Sequence, residues 1–157
     1  MYDFISSEQC NNNNFHGKLV KVVEKSVSIK DSNGEFKEIG SHGKPIKMGS
    51  FLDKDTFVTC SEDHKVKRWN ISSLKQEFEY NTNLILNAVA RIDTNNFATG
   101  GDNKEVLLFD GNNDKLFKRI IHNERVKLIS GSGSRLIFAD TNNKLYSTCS
   151  ATILCES

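Results

Sequence analysis

One segment of the chain occurs twice, forty residues apart, and this repeat limits the possible folds more than any other feature. The first copy covers residues 57–70 and the second covers residues 97–110, so that Trp69 aligns with Phe109. Each copy contains two β-prone runs around an acidic turn, which is the pattern of a tight antiparallel hairpin. Repetition at this spacing predicts small sheets stacked side by side.

The same rhythm extends to the whole chain, which we divide into four units covering residues 1–40, 41–81, 82–121 and 122–157. The predicted strands are 2–7, 18–24, 26–31 and 35–39 in the first unit, 46–52, 56–61, 65–71 and 75–80 in the second, 85–92, 96–100, 105–110 and 115–121 in the third, and 126–130, 135–140, 144–148 and 152–155 in the fourth. No window places apolar residues at helical spacing. We therefore expect a single all-β domain over residues 1–157.

The loop that leads into the first strand of a unit, called here the leading loop, also repeats. His42, Thr82 and His122 are spaced at forty and forty residues, and an apolar residue follows each of them four positions later. A repeat present in both the leading loop and the hairpin is difficult to attribute to chance. It indicates that the units are structural repeats with the same arrangement of strands and loops.

These residues resemble the WD-repeat β-propeller family. Its blades carry a His in the leading loop, a small or hydroxyl residue on the second strand, an Asp in the following turn and Trp-Asp at the end of the third strand. The second unit matches with His42, Thr59 or Ser61, Asp63 and Trp69-Asn70, the third matches with Thr99, Asn103 and Phe109-Asp110 but has Thr82 in place of the His, and the fourth retains His122.

The resemblance implies that these residues form a structural network within each blade. In the family the His bridges the hydroxyl and the Trp ring nitrogen while the Asp orients the His, so that buried polar groups satisfy one another. A His, an Asp and a hydroxyl residue could also suggest a nucleophilic triad, but the chain has no G-x-S-x-G turn. We expect no catalytic residue, and we interpret the set as structural.

Blade number sets the expected architecture. Propellers close with four to eight blades, and WD-type blades splay at an angle suited to about seven, so four of them are expected to form an open or partial propeller. A closed ring of four is the alternative geometry. An open arc leaves apolar outer faces on the first and fourth units, which a second copy, a blade-supplying partner protein or the rest of a longer polypeptide would cover.

The resemblance favours a non-catalytic scaffold or structural subunit that binds other proteins. In the family the leading loops and the starts of the first strands form the binding face, which here comprises Lys44, Lys47, Asn83, Asn87, Glu124 and Lys127. One alternative is a nucleic-acid- or ribosome-associated propeller that uses Lys67, Arg68, Arg91, Lys118, Arg119 and Arg125. A propeller-based hydrolase is a further alternative, but no carboxylates converge across the units.

Net charge, the N-terminal segment and the cysteine spacing argue against several classes of protein. A net charge of +1 gives no bulk attraction to nucleic acid or to an anionic membrane. The first eight residues lack a secretory signal, and no apolar run reaches the roughly 18 residues of a membrane helix. We therefore expect a cytoplasmic or nuclear protein. The cysteines show no metal-ligand spacing, so we expect neither a metal nor a cofactor.

Overall fold

The structure, a computed structural model, describes residues 2–5, 18–93, 95–132 and 135–148, with side chains from residue 18 onward. Fifteen β-strands and no helix occur in these ranges. The first sheet contains β1 (Tyr2–Ile5), β2 (Leu19–Val23), β3 (Ser26–Lys30) and β4 (Phe36–Ser41), and the second contains β5 (Ile46–Phe51), β6 (Thr56–Ser61), β7 (Lys65–Asn70) and β8 (Lys75–Asn81). The third contains β9 (Leu86–Arg91), β10 (Asn96–Gly101), β11 (Glu105–Asp110) and β12 (Lys115–Ile121), and the fourth contains β13 (Val126–Ser132), β14 (Arg135–Asp140) and β15 (Leu145–Thr148).

Each sheet is an antiparallel meander in which every strand pairs with the one before it in sequence. Neighbouring strands can therefore be joined by short turns, and no crossover connection is needed. The all-β prediction is confirmed. The predicted strand 152–155 lies outside the described residues.

Strand pairing repeats from sheet to sheet. Phe57 pairs with Trp69 in the second sheet, and Phe97 pairs with Phe109 in the third. In the fourth sheet the equivalent pair is Leu136 and Thr148. The register predicted for the second and third units is therefore observed, and the fourth sheet has a threonine where the second has its tryptophan.

Three apolar clusters join the sheets in sequence. The first and second sheets share a cluster that contains Val20, Val22, Val27, Ile29, Ile46, Phe57, Trp69 and Ile71. The second and third sheets share Leu52, Val58, Cys60, Val66, Leu86, Val89, Phe97, Leu107 and Phe109. The third and fourth share Ala88, Ala90, Ile92, Ala98, Val106, Leu108, Val126, Ile129, Leu136 and Phe138. Among the described residues no cluster joins the fourth sheet to the first, so the array is a partial, propeller-like one.

The two outer faces of the array differ in character. On the fourth sheet the outward side chains include Leu128, Ile137 and Leu145, which are exposed. On the first sheet β3 turns polar side chains outward, because Val27 and Ile29 face the second sheet. Val23 of β2 and Phe36 of β4 lie on the same outer face and are 38% and 40% exposed. The expected apolar outer face is therefore observed on the fourth sheet, and the outer face of the first sheet is mixed.

Candidate functional site

A chain of hydrogen bonds links three side chains inside the second sheet. The Trp69 Nε1–H donates to the Thr59 hydroxyl at 2.8 Å, and that hydroxyl lies 2.8 Å from Nε2 of His42. The other imidazole nitrogen, Nδ1, lies 3.0 Å from each carboxylate oxygen of Asp63. A loop, two strands and a turn are therefore connected through one set of polar atoms.

Local structure explains why these side chains meet. Thr59 and Trp69 lie on adjacent strands and on the same face, since Phe57 pairs with Trp69 and Thr59 is two residues further along β6. The backbone N–H of His42 donates to the Lys25 carbonyl at 2.8 Å, which holds the leading loop against the turn of the first sheet. The imidazole consequently reaches the interior, where its side chain is 0% exposed.

Asp63 fastens the turn between β6 and β7 to the leading loop. Its carboxylate accepts the backbone N–H of Gly43 at 2.8 Å and that of Lys65 at 3.0 Å. Burial acts to raise the pKa of Asp63, but the Gly43 N–H and His42 outweigh it, so the pKa lies below its ordinary value. The carboxylate is therefore ionised at neutral pH.

Burial lowers the pKa of His42 below its ordinary value, and the neighbouring Asp63 offsets only part of that effect. The imidazole is therefore neutral at pH 7. We assign the proton to Nδ1, which donates to Asp63, and this leaves Nε2 to accept from the Thr59 hydroxyl. Every polar atom of the network then has a partner of the correct kind.

The alternative hydroxyl residue, Ser61, makes different contacts. Its Oγ lies 2.9 Å from the carbonyl oxygens of Lys44 and Pro45, and it accepts the Asp63 N–H at 3.1 Å. Ser61 therefore holds the leading loop, while Thr59 contacts the imidazole and the indole.

The third sheet has no comparable network among its described side chains. The Thr99 hydroxyl donates to the Ala88 carbonyl at 2.8 Å, and the Asn103 amide oxygen accepts the Gly101 N–H at 3.2 Å. The Phe109 ring stacks on Phe97 with centroids 5.1 Å apart. Here apolar stacking and backbone contacts replace the polar chain of the second sheet.

The fourth sheet contains a different polar cluster, around Asp140. This residue is 0% exposed, and its carboxylate accepts the backbone N–H groups of Asn142 and Lys144 at 2.8 and 3.0 Å. The Tyr146 hydroxyl donates to it at 3.1 Å, and Nε2 of His122 lies 3.5 Å away. Burial acts to raise the pKa of Asp140, but these donors outweigh it and the pKa is lowered.

The sequence pattern indicated His122 but not Asp140. The reason is position, because Asp140 ends β14, at the place that Ser61 occupies in β6, instead of lying in the turn. The signal that could have revealed it is the run Asp140-Thr-Asn-Asn, since an aspartate before a polar turn often binds backbone N–H groups two residues on.

The six residues predicted to bind a partner do not all have the same exposure. Lys44, Lys47, Asn83 and Lys127 are exposed, whereas Asn87 and Glu124 are half-buried. Asn87 binds within the array, because its amide donates to the Val126 carbonyl at 3.0 Å in the fourth sheet. Lys47 pairs with Glu62 at 3.1 Å, and Lys127 donates to Asn143 at 3.3 Å. The structure thus brings Asn87 into a sheet junction and leaves four of the six on the surface.

Several residues of the alternative basic surface are engaged with carboxylates. Arg68 binds Asp114 and the Gly111 carbonyl of the third sheet, and its side chain is only 10% exposed. Lys67 lies 3.3 Å from Glu79, and Arg119 lies 2.9 Å from Glu105. Arg68 therefore joins the second and third sheets, a contact that the sequence did not indicate.

Within the described ranges no group of three or more His, Cys, Asp or Glu side chains could hold a metal ion. No helix in those ranges is long and apolar enough to cross a membrane. Burial raises the pKa of the Cys60 thiol to about 12, so this cysteine is unreactive in the folded chain.

Comparison with known proteins finds a similar sequence. The chain is 26% identical over 149 residues to a U3 small nucleolar RNA-associated protein 15 homolog from Xenopus laevis. The aligned region covers 87% of this chain and 28% of that protein, so the chain corresponds to less than a third of its length. No model of a protein family matches the chain.

Proposed function

We propose that the chain is a WD-repeat-like domain over residues 1–157 that acts as a non-catalytic scaffold or structural subunit of a larger complex. The observation that carries this proposal is the closed hydrogen-bond chain of the second sheet. Thr59 is 0% exposed and its hydroxyl is shared by Trp69 and His42, so no substrate can reach the one His–Asp–hydroxyl set described there. The network therefore has a structural role, and the binding function lies on the surface of the domain.

The proposed binding surface is the leading-loop face. Lys44, Lys47, Asn83 and Lys127 place polar side chains on the surface there, as binding faces of WD-type propellers do by resemblance. Glu124 and Asn87 border this surface. The partner is another protein, and the similarity to a nucleolar RNA-associated protein favours the nucleus over the cytoplasm as its location.

A second candidate function is association with RNA, and the name of the similar protein favours it. The ion pairs weigh against it, because Lys67, Arg68 and Arg119 each lie next to a carboxylate and would have to exchange it for phosphate. Binding of single-stranded RNA that weakens steeply as salt rises would support this candidate. Retention in a complex that is insensitive to salt supports the protein scaffold.

The experiment compares complexes formed by the wild-type chain and by a Lys44→Glu/Lys127→Glu variant. Each chain is expressed with an affinity tag in its native cells and purified under non-denaturing conditions. The mass of the purified complex is then measured by native mass spectrometry. We expect the wild type in an assembly far heavier than its own 17.7 kDa and the variant released from it. A matched control, Lys75→Glu/Lys115→Glu, reverses two exposed lysines at the starts of β8 and β12 and should leave the assembly intact.

A second arm tests the absence of catalysis. Asp63→Asn should lower the melting temperature, because Asp63 holds Gly43, Lys65 and His42 together. A hydrolytic activity that is lost in this variant while its melting temperature stays unchanged would overturn the proposal.

A further inference from the structure

A cavity lies between the first and second sheets, at the end of the array away from the leading-loop face, and is called here the lysine-rimmed cavity. Its volume is about 350 Å³. Its apolar lining consists of Ile29 and Ile71, which are 4% and 3% exposed, and the half-buried Leu74. This volume is near the lower end of the range found for ligand pockets. The cavity is therefore large enough for an aliphatic side chain and too small for a further sheet.

Three lysine side chains line the cavity beside its apolar residues. Lys18 immediately precedes β2, Lys30 ends β3, and Lys37 lies in β4. Lys18 donates to the carboxylate of Asp55 and, at 2.6 Å, to the hydroxyl of Ser72. The exposed side chains of Lys30 and Lys37 form no hydrogen bond or ion pair with any other described residue. Two positive charges at the cavity thus lack a negative partner in the described part of the chain.

The carboxylates at the cavity already have other donors. Asp31, which also lines the cavity, accepts the backbone N–H groups of Asn33 and Glu35 at 2.9 and 3.0 Å. Asp55 accepts from Lys18 and from the Ser72 hydroxyl. An apolar cavity with a positive rim favours a ligand that carries an apolar group next to negative charges. Such a ligand buries its apolar group and neutralises the two ammonium groups at the same time.

The spread of the lysines favours a peptide over a ligand with one charged end. Neighbouring strands lie about 4.8 Å apart, so the backbone positions of Lys18 and Lys37, two strands apart, are separated by at least about 10 Å. A single carboxylate, as in a fatty acid, reaches only one side of this span. An aliphatic residue between two acidic residues places a carboxylate on each side. The matching ligand is therefore a peptide segment of that composition.

This chain does not offer such a segment to another copy. In its sequence one apolar residue, Phe78, has acidic residues directly on both sides, Glu77 and Glu79. The Phe78 ring packs against Phe109 with centroids 6.0 Å apart, and Glu79 lies 2.6 Å from Lys65. A second copy cannot present this segment without opening its second sheet. A further sheet of the same polypeptide does not fit either, because the cavity lies between two sheets that already pack on each other.

We propose that the lysine-rimmed cavity binds a short acidic segment of a partner protein, with an aliphatic side chain inside the cavity and the flanking carboxylates on Lys30 and Lys37. This inference rests on the proposed scaffold function and names the kind of segment that the scaffold takes. The cavity lies at the opposite end of the array from the leading-loop face, so both surfaces can be occupied in one complex.

An NMR titration of the isotope-labelled full chain tests the proposal, because it detects weak binding and locates it. The probe is a synthetic peptide with a leucine between two glutamates in an otherwise uncharged glycine-serine sequence. We expect saturable chemical-shift changes that are largest at the backbone amides of Ile29, Ile71 and Leu74. Two control peptides carry glutamine in place of both glutamates, or serine in place of the leucine. Each control peptide should bind at least about tenfold more weakly.

Variants of the chain test the lysines. Lys30→Glu/Lys37→Glu should weaken binding of the probe by at least about tenfold, with little change in melting temperature because both side chains are exposed. The matched control is Lys75→Glu/Lys115→Glu, which changes the net charge by the same amount at two other exposed lysines. It should change the Kd of the probe by less than about twofold.

Absence of saturable shifts at the cavity amides would overturn the inference, and so would equal losses of binding in the two lysine variants. A Glu8→Gln/Phe15→Ser variant that binds the probe about tenfold more tightly than the wild type would make the chain's own segment 6–17 the occupant. A wild-type dimer that the probe dissociates would make a second copy the occupant.

The native assembly separates failure of this inference from failure of the scaffold function. If the wild type assembles and Lys44→Glu/Lys127→Glu does not, while the probe fails to bind, the scaffold function stands and only the peptide inference falls. A wild-type chain that forms no assembly in its native cells would remove the scaffold function itself.

Discussion

Replacement of Thr59 by valine tests the hydrogen-bond chain of the second sheet directly. Valine has nearly the shape of threonine, so the fully buried site loses its hydroxyl with little change in volume. The Trp69 N–H and Nε2 of His42 each lie 2.8 Å from that hydroxyl, and both would be left without a partner. Each orphaned buried group costs about 1–3 kcal/mol, so we expect the free energy of unfolding to fall by about 2–6 kcal/mol.

The matched control is Thr99→Val. Thr99 occupies the equivalent place in the third sheet and is equally buried, but its hydroxyl contacts only the Ala88 carbonyl. Loss of this single hydrogen bond should cost about 1 kcal/mol. A second control, Thr59→Ser, keeps the hydroxyl and removes one methyl group, which should cost about 1 kcal/mol.

Urea denaturation followed by circular dichroism measures all three variants against the wild type. The comparison depends on the difference between Thr59→Val and Thr99→Val, because both remove the same atoms from buried strand positions. If the two variants lose stability equally, the bridging role of Thr59 is wrong. A Thr59→Ser variant as unstable as Thr59→Val would contradict the hydroxyl argument in the same way.

Three further predictions concern other parts of the array. Because the pKa of His42 is lowered in the fold, the unfolded chain binds the proton first as pH falls below about 6.5; thermal melts from pH 7 to pH 5 should therefore lose stability, and the slope should be shallower in His42→Gln. Arg68→Lys should destabilise the chain by about 1–3 kcal/mol in urea denaturation, because one ammonium cannot replace a guanidinium that binds both the carboxylate and the carbonyl of the next sheet. Arg119→Lys changes a half-exposed ion pair and should lower the free energy of unfolding by no more than about 0.5 kcal/mol. Equal losses of stability in the Arg68 and Arg119 variants would refute this distinction between a buried and an exposed arginine. Asp140→Asn should lower the melting temperature more than Tyr146→Phe, because the first change weakens every contact of the carboxylate and the second removes one donor; the reverse order would show that the hydroxyl dominates.

The strands and their order were predictable because the governing contacts are local. In a meander each strand pairs with its predecessor, so the hairpin pattern at residues 57–70 was enough to set both the fold and the register. The exact ends of the strands were harder to predict from the sequence. β4 runs to Ser41 instead of ending at residue 39, because a bulge between Val27 and Ser28 lets β3 pair with Gly40 and Ser41. Bulges leave no clear signature in one sequence.

The site was predictable only in part. The sequence left Thr59 and Ser61 as equal choices, since they lie two residues apart on one face of β6. The position of Trp69, opposite Phe57, decides which hydroxyl reaches the indole. The bond from Arg68 to Gly111 spans 43 residues and two sheets, and no local pattern encodes such a contact.

The unequal outer faces give the array a direction. Identical units with complementary ends would add to one another without limit, because a head-to-tail contact that does not close produces a filament. On the first sheet Lys30 pairs with the exposed Phe36, whereas Ile137 and Leu145 are exposed on the fourth sheet. The two ends of the array therefore present different side chains to a second copy, and a head-to-tail contact would have to bury the Lys30 charge.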